Sequence, residues 1–256
     1  MKQLIAFFQK EWMELTRSGK FLIIVILFTL FGVMNPALAK LTPWMMEVAA
    51  ESLAEAGLVV TEVPVDAMTS WTQYYKNIPL ELIVFILMFS GILTREYEKK
   101  TLINMVTKGL SRWKIVLSKT GVVFLLWTFA YWLCYGITYG YNAYFWDNNI
   151  AEHVFFAAFC IYVLGVWFIS LMMLMSVLSS SNTGVLLYTG VIFAICYFAE
   201  MLVKWKEYLP TYLMNAGQLL SGVGTVGDYK WVLGICVVSA ILNITGAVVL
   251  FNRKNI

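Results

Sequence analysis

A chain of 256 residues in which 61% are hydrophobic and only 13% charged carries about half the charge of a soluble domain, which excludes water as the solvent of most of its surface. A formal charge of +3 gives no reason to expect nucleic acid as a partner. The apolar residues gather into stretches of about 20, the length a helix needs to cross a bilayer, so the expected fold is an all-α polytopic membrane protein with six transmembrane helices in one domain over residues 1–256.

In chain order, residues 1–20 place Leu4, Phe7, Phe8, Trp12 and Leu15 on one helical face and Lys10, Glu14 and Arg17 on the other. That pattern suits a helix lying in the membrane interface. Span one is expected over about 21–39, with a kink near its outer end at Asn35 and Pro36. A polar segment, 40–77, follows; within it Pro43 to Gly57 can form a helix with Glu47, Glu51 and Glu55 on one acidic face. Span two covers about 78–93. The segment 94–119 is dense in cations: Arg95, Lys99, Lys100, Lys108, Arg112, Lys114 and Lys119. Its first half can be helical, with Leu102, Met105 and Val106 on one face, until Gly109 and Ser111 break it and a second helix begins. Spans three to six are expected over about 120–141, 154–178, 184–203 and 231–251. The small polar turn 179–183 makes spans four and five a tight hairpin.

Cation placement sets the expected orientation. Thirteen of the eighteen Lys and Arg fall in the N-terminal stretch, the loop after span two and the C-terminal tail, which puts both termini in the cytoplasm. Cys134, Cys160, Cys196 and Cys236 lie in apolar stretches, where a thiol acts as a small hydrophobe. Nothing resembles the phosphate-cradling loop GxxxxGK[ST], so ATP hydrolysis by this chain is not expected. A lone His153 cannot build a two-histidine metal site; it reads as an interface residue. No catalytic residue, cofactor or metal ligand is assigned. Glu81 and Glu200, near the expected outer ends of spans two and five, are either interface carboxylates or parts of a substrate path with Trp205 and Tyr208. The outer aromatics read mainly as an interfacial belt. Gly136 and Gly140 form a GxxxG pair suited to close helix packing.

On these residues the sequence resembles the ABC-2 family of transporter permeases. Its members open with an amphipathic elbow helix carrying Lys-Glu and a following Arg, matched by Lys10, Glu11 and Arg17. After span two they show Arg-Glu, Thr-Leu, a Pro-Ser-Arg-like turn and a Lys, matched by Arg95 and Glu96, Thr101 and Leu102, Ser111 and Arg112, and Lys119. Lys100 stands where a Gly is usual, and Leu110 where a Pro is usual. The resemblance implies that the loop after span two holds a coupling helix seated in an ATP-binding cassette subunit, with Glu96, Lys100, Thr101, Leu102, Met105, Ser111 and Arg112 as the coupling residues. It also implies ATP and Mg on that partner subunit, two ATPase copies with a second or related permease, and two short re-entrant helices between spans five and six. A plain outer loop over 208–227 is the alternative to the last. The function expected is the permease subunit of an ATP-driven exporter in the bacterial cytoplasmic membrane, moving a peptide antibiotic, a lantibiotic-like peptide or a lipid. A membrane anchor or sensor coupling an ATPase to an extracellular partner is the rival reading. An ion-coupled carrier or channel is a third.

Overall fold

The computed structural model describes residues 2–55, 65–99, 101, 102, 107, 109–202 and 204–254. Its elements are helices α1 (Lys2–Arg17), α2 (Lys20–Glu55), α3 (Ala67–Phe89), α4 (Thr94–Glu98), α5 (Arg112–Phe145), α6 (Val154–Leu178), α7 (Asn182–Leu202) and α8 (Val226–Arg253), with 3-10 turns at Asn148–Ile150, Lys206–Tyr208 and Pro210–Ser221. No strand occurs among the described residues. Among the described residues six helices are long and apolar enough to cross a bilayer: α2, α3 with α4, α5, α6, α7 and α8. The all-α polytopic fold is therefore present.

The bundle has two unlike ends. At one lie α1, α4, the start of α5 and the last turns of α6 and α8, together with most of the cations; this is the basic end. The other, where Trp71, Tyr135 and Tyr139 pack together and Tyr212 stacks on Tyr229, is the aromatic end. Helix α6 forms the centre, with apolar and small residues on nearly every face, as expected of a helix surrounded by its own chain. Helix α7 is peripheral: of its residues only Val185 and Thr189 are buried.

Helix α2 runs unbroken through Pro36 and Pro43, so the apolar span continues directly into the polar stretch up to Glu55. A proline has no N–H for the carbonyl four residues back, and at Pro36 that carbonyl belongs to Gly32. The Thr138 hydroxyl of α5 donates to Gly32 O at 3.1 Å. Asn35 Nδ2 donates to Thr138 Oγ1 at 3.2 Å, and Asn77 Nδ2 of α3 donates to Asn35 Oδ1 at 2.7 Å. Three spans thus meet on one polar chain inside the bundle, where a freed backbone group must find a partner within the protein.

Close packing occurs at other glycines than the GxxxG pair. A Cβ at Gly136 or Gly140 would meet nothing within 4 Å, so among the described residues no neighbour packs closely on this pair. At Gly165 a Cβ would collide with the Trp127 ring at Cζ2. The indole of Trp127 fills that notch, and its Nε1 donates to Tyr162 O at 3.3 Å. Gly32 serves α2 and α5 similarly, with Cys134 O 3.1 Å from the position of a Cβ.

At the aromatic end, α3 begins at Ala67, well ahead of the apolar run that starts at Ile78. Asp66 caps it, accepting from Thr69 N at 3.0 Å. The extra turns bring Trp71 and Tyr74 into the core, both fully buried, rather than into an outer belt. Trp71 packs against Tyr74, Tyr135 and Tyr139, and its Nε1 donates to Asn148 Oδ1 at 3.1 Å. Between α7 and α8 the chain folds back into the bundle. Pro210, Thr211, Leu213, Ala216, Leu219 and Leu220 are buried, and Gly217 lies against the Tyr75 ring. The segment is thus a run of 3-10 turns inserted against α6, neither an outer loop nor two regular helices. It ends at Gly222, whose φ of +70° is the left-handed conformation that glycine adopts without strain.

Candidate functional site

Helix α1 is amphipathic, and Phe7, Glu11 and Leu15 are its buried residues. Their spacing of four puts them on one stripe, which lies along the first turns of α5. Phe8 packs over Gly121, Lys114 Nζ donates to Gln3 Oε1 at 2.6 Å, and Lys119 Nζ donates to Glu11 Oε2 at 2.7 Å.

The last contact belongs to a larger cluster. Lys119 also reaches Glu96 Oε1 at 2.9 Å, and its side chain is 2% exposed, against 6% for Glu11 and 12% for Glu96. Lys10 completes the group at 2.9 Å from Glu11 Oε1 and 2.8 Å from Glu14 Oε2. An exposed ion pair contributes little, but a cation held between two buried carboxylates is costly to unpair. The cluster therefore fixes α1, α4 and α5 to one another. Burial disfavours the Lys10 ammonium, yet its hydrogen bonds to Glu14 and Glu11 outweigh that and raise it above the ordinary lysine value. The same contact lowers Glu14.

A second clasp joins the helix ends. Arg112 Nη1, at the start of α5, donates to the carbonyls of Asn252 at 3.2 Å and of Lys254. These oxygens end α8 without intrahelical donors, and a cation there also meets the negative end of the helix dipole. Lys254 Nζ in turn donates to Val177 O at 2.6 Å and Ser179 O at 3.3 Å at the end of α6. It sits 4.3 Å from the Tyr97 ring centroid, and Tyr97 packs against Phe251. Both clasps converge on α4, the start of the cation-rich segment.

Lys10 and Glu11 of the first sequence motif and Glu96 of the second are thus brought together, with Lys119 between the two carboxylates. Arg17 stays exposed at the end of α1. Leu102 is fully buried, Thr101 Oγ1 donates to Glu96 O at 3.4 Å, and Ser111 precedes α5 with a φ of −67° and ψ of 133°. Gly109 has a φ of +83°, which supports a break there. Lys100 and Met105 lie outside the described residues, as does Val106. The burial of Lys119 is not evident from the sequence, because in a cation-rich loop it reads as one more solvated charge. Its apolar neighbours Ile115, Val116 and Val122 are the available signal.

The expected substrate-path residues separate. Glu81 is no interface carboxylate: it is fully buried between α3 and α5, where Cys134 Sγ donates to its Oε1 at 3.5 Å and Oε2 has no partner among the described residues. Because α3 starts at Ala67, ahead of its apolar run, Glu81 lies within the helix rather than near its end. A carboxylate at that depth is costly. Glu200 instead opens on a recess of about 590 Å³ at the aromatic end, lined also by Lys204, Lys206, Tyr212, Asn215 and Gln218. Asn215 Nδ2 donates to Glu200 Oε1, and Tyr229 OH donates to Asn215 O at 3.0 Å. Trp205 and Tyr208 are exposed, at 74% and 50%. His153, also exposed, precedes α6 with a φ of 51°.

The six helices long and apolar enough to cross a bilayer among the described residues define a multi-pass membrane protein. The family model described as ABC-2 family transporter protein matches residues 5–255, and the chain belongs to that family. No match is found among curated proteins. Membership makes the chain the membrane subunit of an ABC transporter and implies pairing with an ATP-binding cassette subunit.

Proposed function

We propose that the chain is the permease of an ATP-driven exporter, with its basic end in the bacterial cytoplasm and α4 with the following segment seated on the cassette ATPase. The observation that carries this reading is the double clasp on α4. A segment tied by buried ion pairs to α1 and α5, and through Lys254 and Tyr97 to α6 and α8, transmits a push to four helices at once. Glu96 and Arg112 act as positioning residues in this scheme, since both are turned to partners within the chain. Contact with the ATPase falls to neighbouring exposed groups such as Glu98 and Trp113. ATP and Mg are bound by the partner, and this chain supplies neither catalytic residue nor cofactor site.

The cation distribution supports cytoplasmic termini. Two permeases, identical or related, would join two ATPases, and alternating access would come from the two halves rocking. The cargo is a hydrophobic or amphipathic molecule, a peptide antibiotic, lantibiotic-like peptide or lipid. Apolar spans and the aromatic-end recess around Glu200, Tyr212 and Asn215 favour it, with Trp205 and Tyr208 at the surface nearby.

Affinity purification from native membranes in mild detergent tests the assembly. Stoichiometric recovery of a cassette ATPase is expected; recovery of the chain alone, where other membrane complexes survive, overturns the reading. In vesicles containing the complex, Arg112→Glu is expected to leave insertion intact while separating ATP hydrolysis from transport. Normal coupling in that variant removes the role given to the clasp.

A further inference from the structure

Beside the ion-pair cluster lies a half-open cavity of about 560 Å³, lined by α1, the first residue of α2, the end of α3 with the turn that follows it, α4 and the residues just after it, and α5. Five cations line it, Lys10, Lys20, Arg95, Lys99 and Lys119, against three carboxylates, Glu11, Glu14 and Glu96. Lys10 and Lys119 account for all three carboxylates. Lys20, Arg95 and Lys99 have no carboxylate at ion-pair distance among the described residues.

Two of these three are held in place by apolar and backbone surfaces. The Lys20 ammonium, half-buried, lies 5.5 Å from the centroid of the Phe89 ring. Arg95 folds back over Gly91, so closely that a Cβ there would sit 2.8 Å from its Nε. Cations gathered without counter-charge repel one another and draw an anion. Phe89, Ile92, Leu15 and Val122 make the remaining wall apolar.

We propose that this cavity binds a phosphate group. A phosphate offers oxygens to several donors at once, and the guanidinium fork of Arg95 matches two of them; a carboxylate would engage fewer of the three cations. Two sources share this chemistry. One is the headgroup of an anionic phospholipid, which the apolar wall and the adjoining amphipathic α1 would accommodate. The other is free phosphate. The cavity shares α4 with the ATPase contact proposed above, but the test below reads binding on the purified chain without the ATPase.

Native mass spectrometry of the purified full chain tests it, with short-chain phosphatidylglycerol, the matching diacylglycerol and inorganic phosphate as probes. Saturable binding of phosphatidylglycerol, but not of diacylglycerol, is expected. Replacing Lys20→Gln and Arg95→Gln together should weaken it about tenfold or more; tenfold is a change of about 1.4 kcal/mol, within what one charge-assisted hydrogen bond supplies. Arg253→Gln, which alters an exposed cation at the end of α8, should leave it unchanged. Inorganic phosphate binding with the same sensitivity supports the site and assigns it to the free ion. Equal binding of diacylglycerol, or equal weakening by Arg253→Gln, overturns the proposal. Should the double variant aggregate, Lys99→Gln at an exposed position reads the same site, and an affinity unchanged from the parent chain overturns it.

Discussion

The two ends of this bundle are held by different physics. At the basic end, charges and charge-assisted hydrogen bonds tie helix termini together: Glu11, Glu96 and Lys119 in one group, Arg112 and Lys254 with bare carbonyls in the other. At the aromatic end, Trp71, Tyr74, Tyr131 and Tyr135 pack ring against ring, and the inserted Pro210–Ser221 run closes the space. Loss of one partner leaves a buried charge unpaired at the basic end, whereas at the aromatic end the stabilisation is spread over many ring contacts.

The largest effect that would break this contrast lies at Lys119. Lys119→Met leaves Glu11 and Glu96 buried without their cation and should cost about 3–5 kcal/mol, read from denaturant unfolding of the purified chain in micelles. Adding Glu11→Leu and Glu96→Leu should recover most of the loss; if the triple variant is as weak as the single one, charge pairing is not what holds this end. Midway along the bundle, Gly165→Ala drives a methyl into Trp127 and should cost about 1–3 kcal/mol by the same measurement. At the aromatic end, Trp71→Phe removes the hydrogen bond to Asn148 while keeping a ring, with an expected loss of about 0.5–1.5 kcal/mol. A loss matching that of Lys119→Met would erase the distinction.

The mildest expectation concerns pH. Glu14 is lowered, so its stabilising contact is complete above the ordinary carboxylate value of 4.5 and fades as pH falls through the lowered value. Lys10 is raised, so its share is complete below the ordinary 10.5 and fades only as pH climbs past that into the raised range. Amide exchange protection of α1, corrected for intrinsic rates, should be flat between those limits and drop in acid. Glu14→Gln should blunt the acid limb.

How much of this is written in the sequence differs by region. Six long apolar runs announce six spans because run length alone decides bilayer crossing. The amphipathic period of residues 2–17 likewise shows a surface helix, though not that Glu11 turns inward, since its partner Lys119 is remote in sequence. Trp71 and Tyr74 fall in a polar stretch of the sequence, and it is the start of α3 at Ala67 that brings them into the core. Gly136 and Gly140 satisfy a packing pattern that no neighbour among the described residues answers, whereas Gly165, outside any pattern, receives Trp127. Spacing describes one helix at a time, and these outcomes depend on which helix lies opposite.

Because Pro36 gives up its place in the ladder of α2 and Thr138 takes the vacant carbonyl, the two helices share a link that belongs to neither alone. Sliding α2 along α5 would strand Gly32 O in hydrocarbon, so the register of the pair is pinned at this level. Beyond the pin, α2 continues unbroken from Ala37 to Glu55, so the direction in which that stretch leaves the bundle is set where the Thr138 hydroxyl meets Gly32 O.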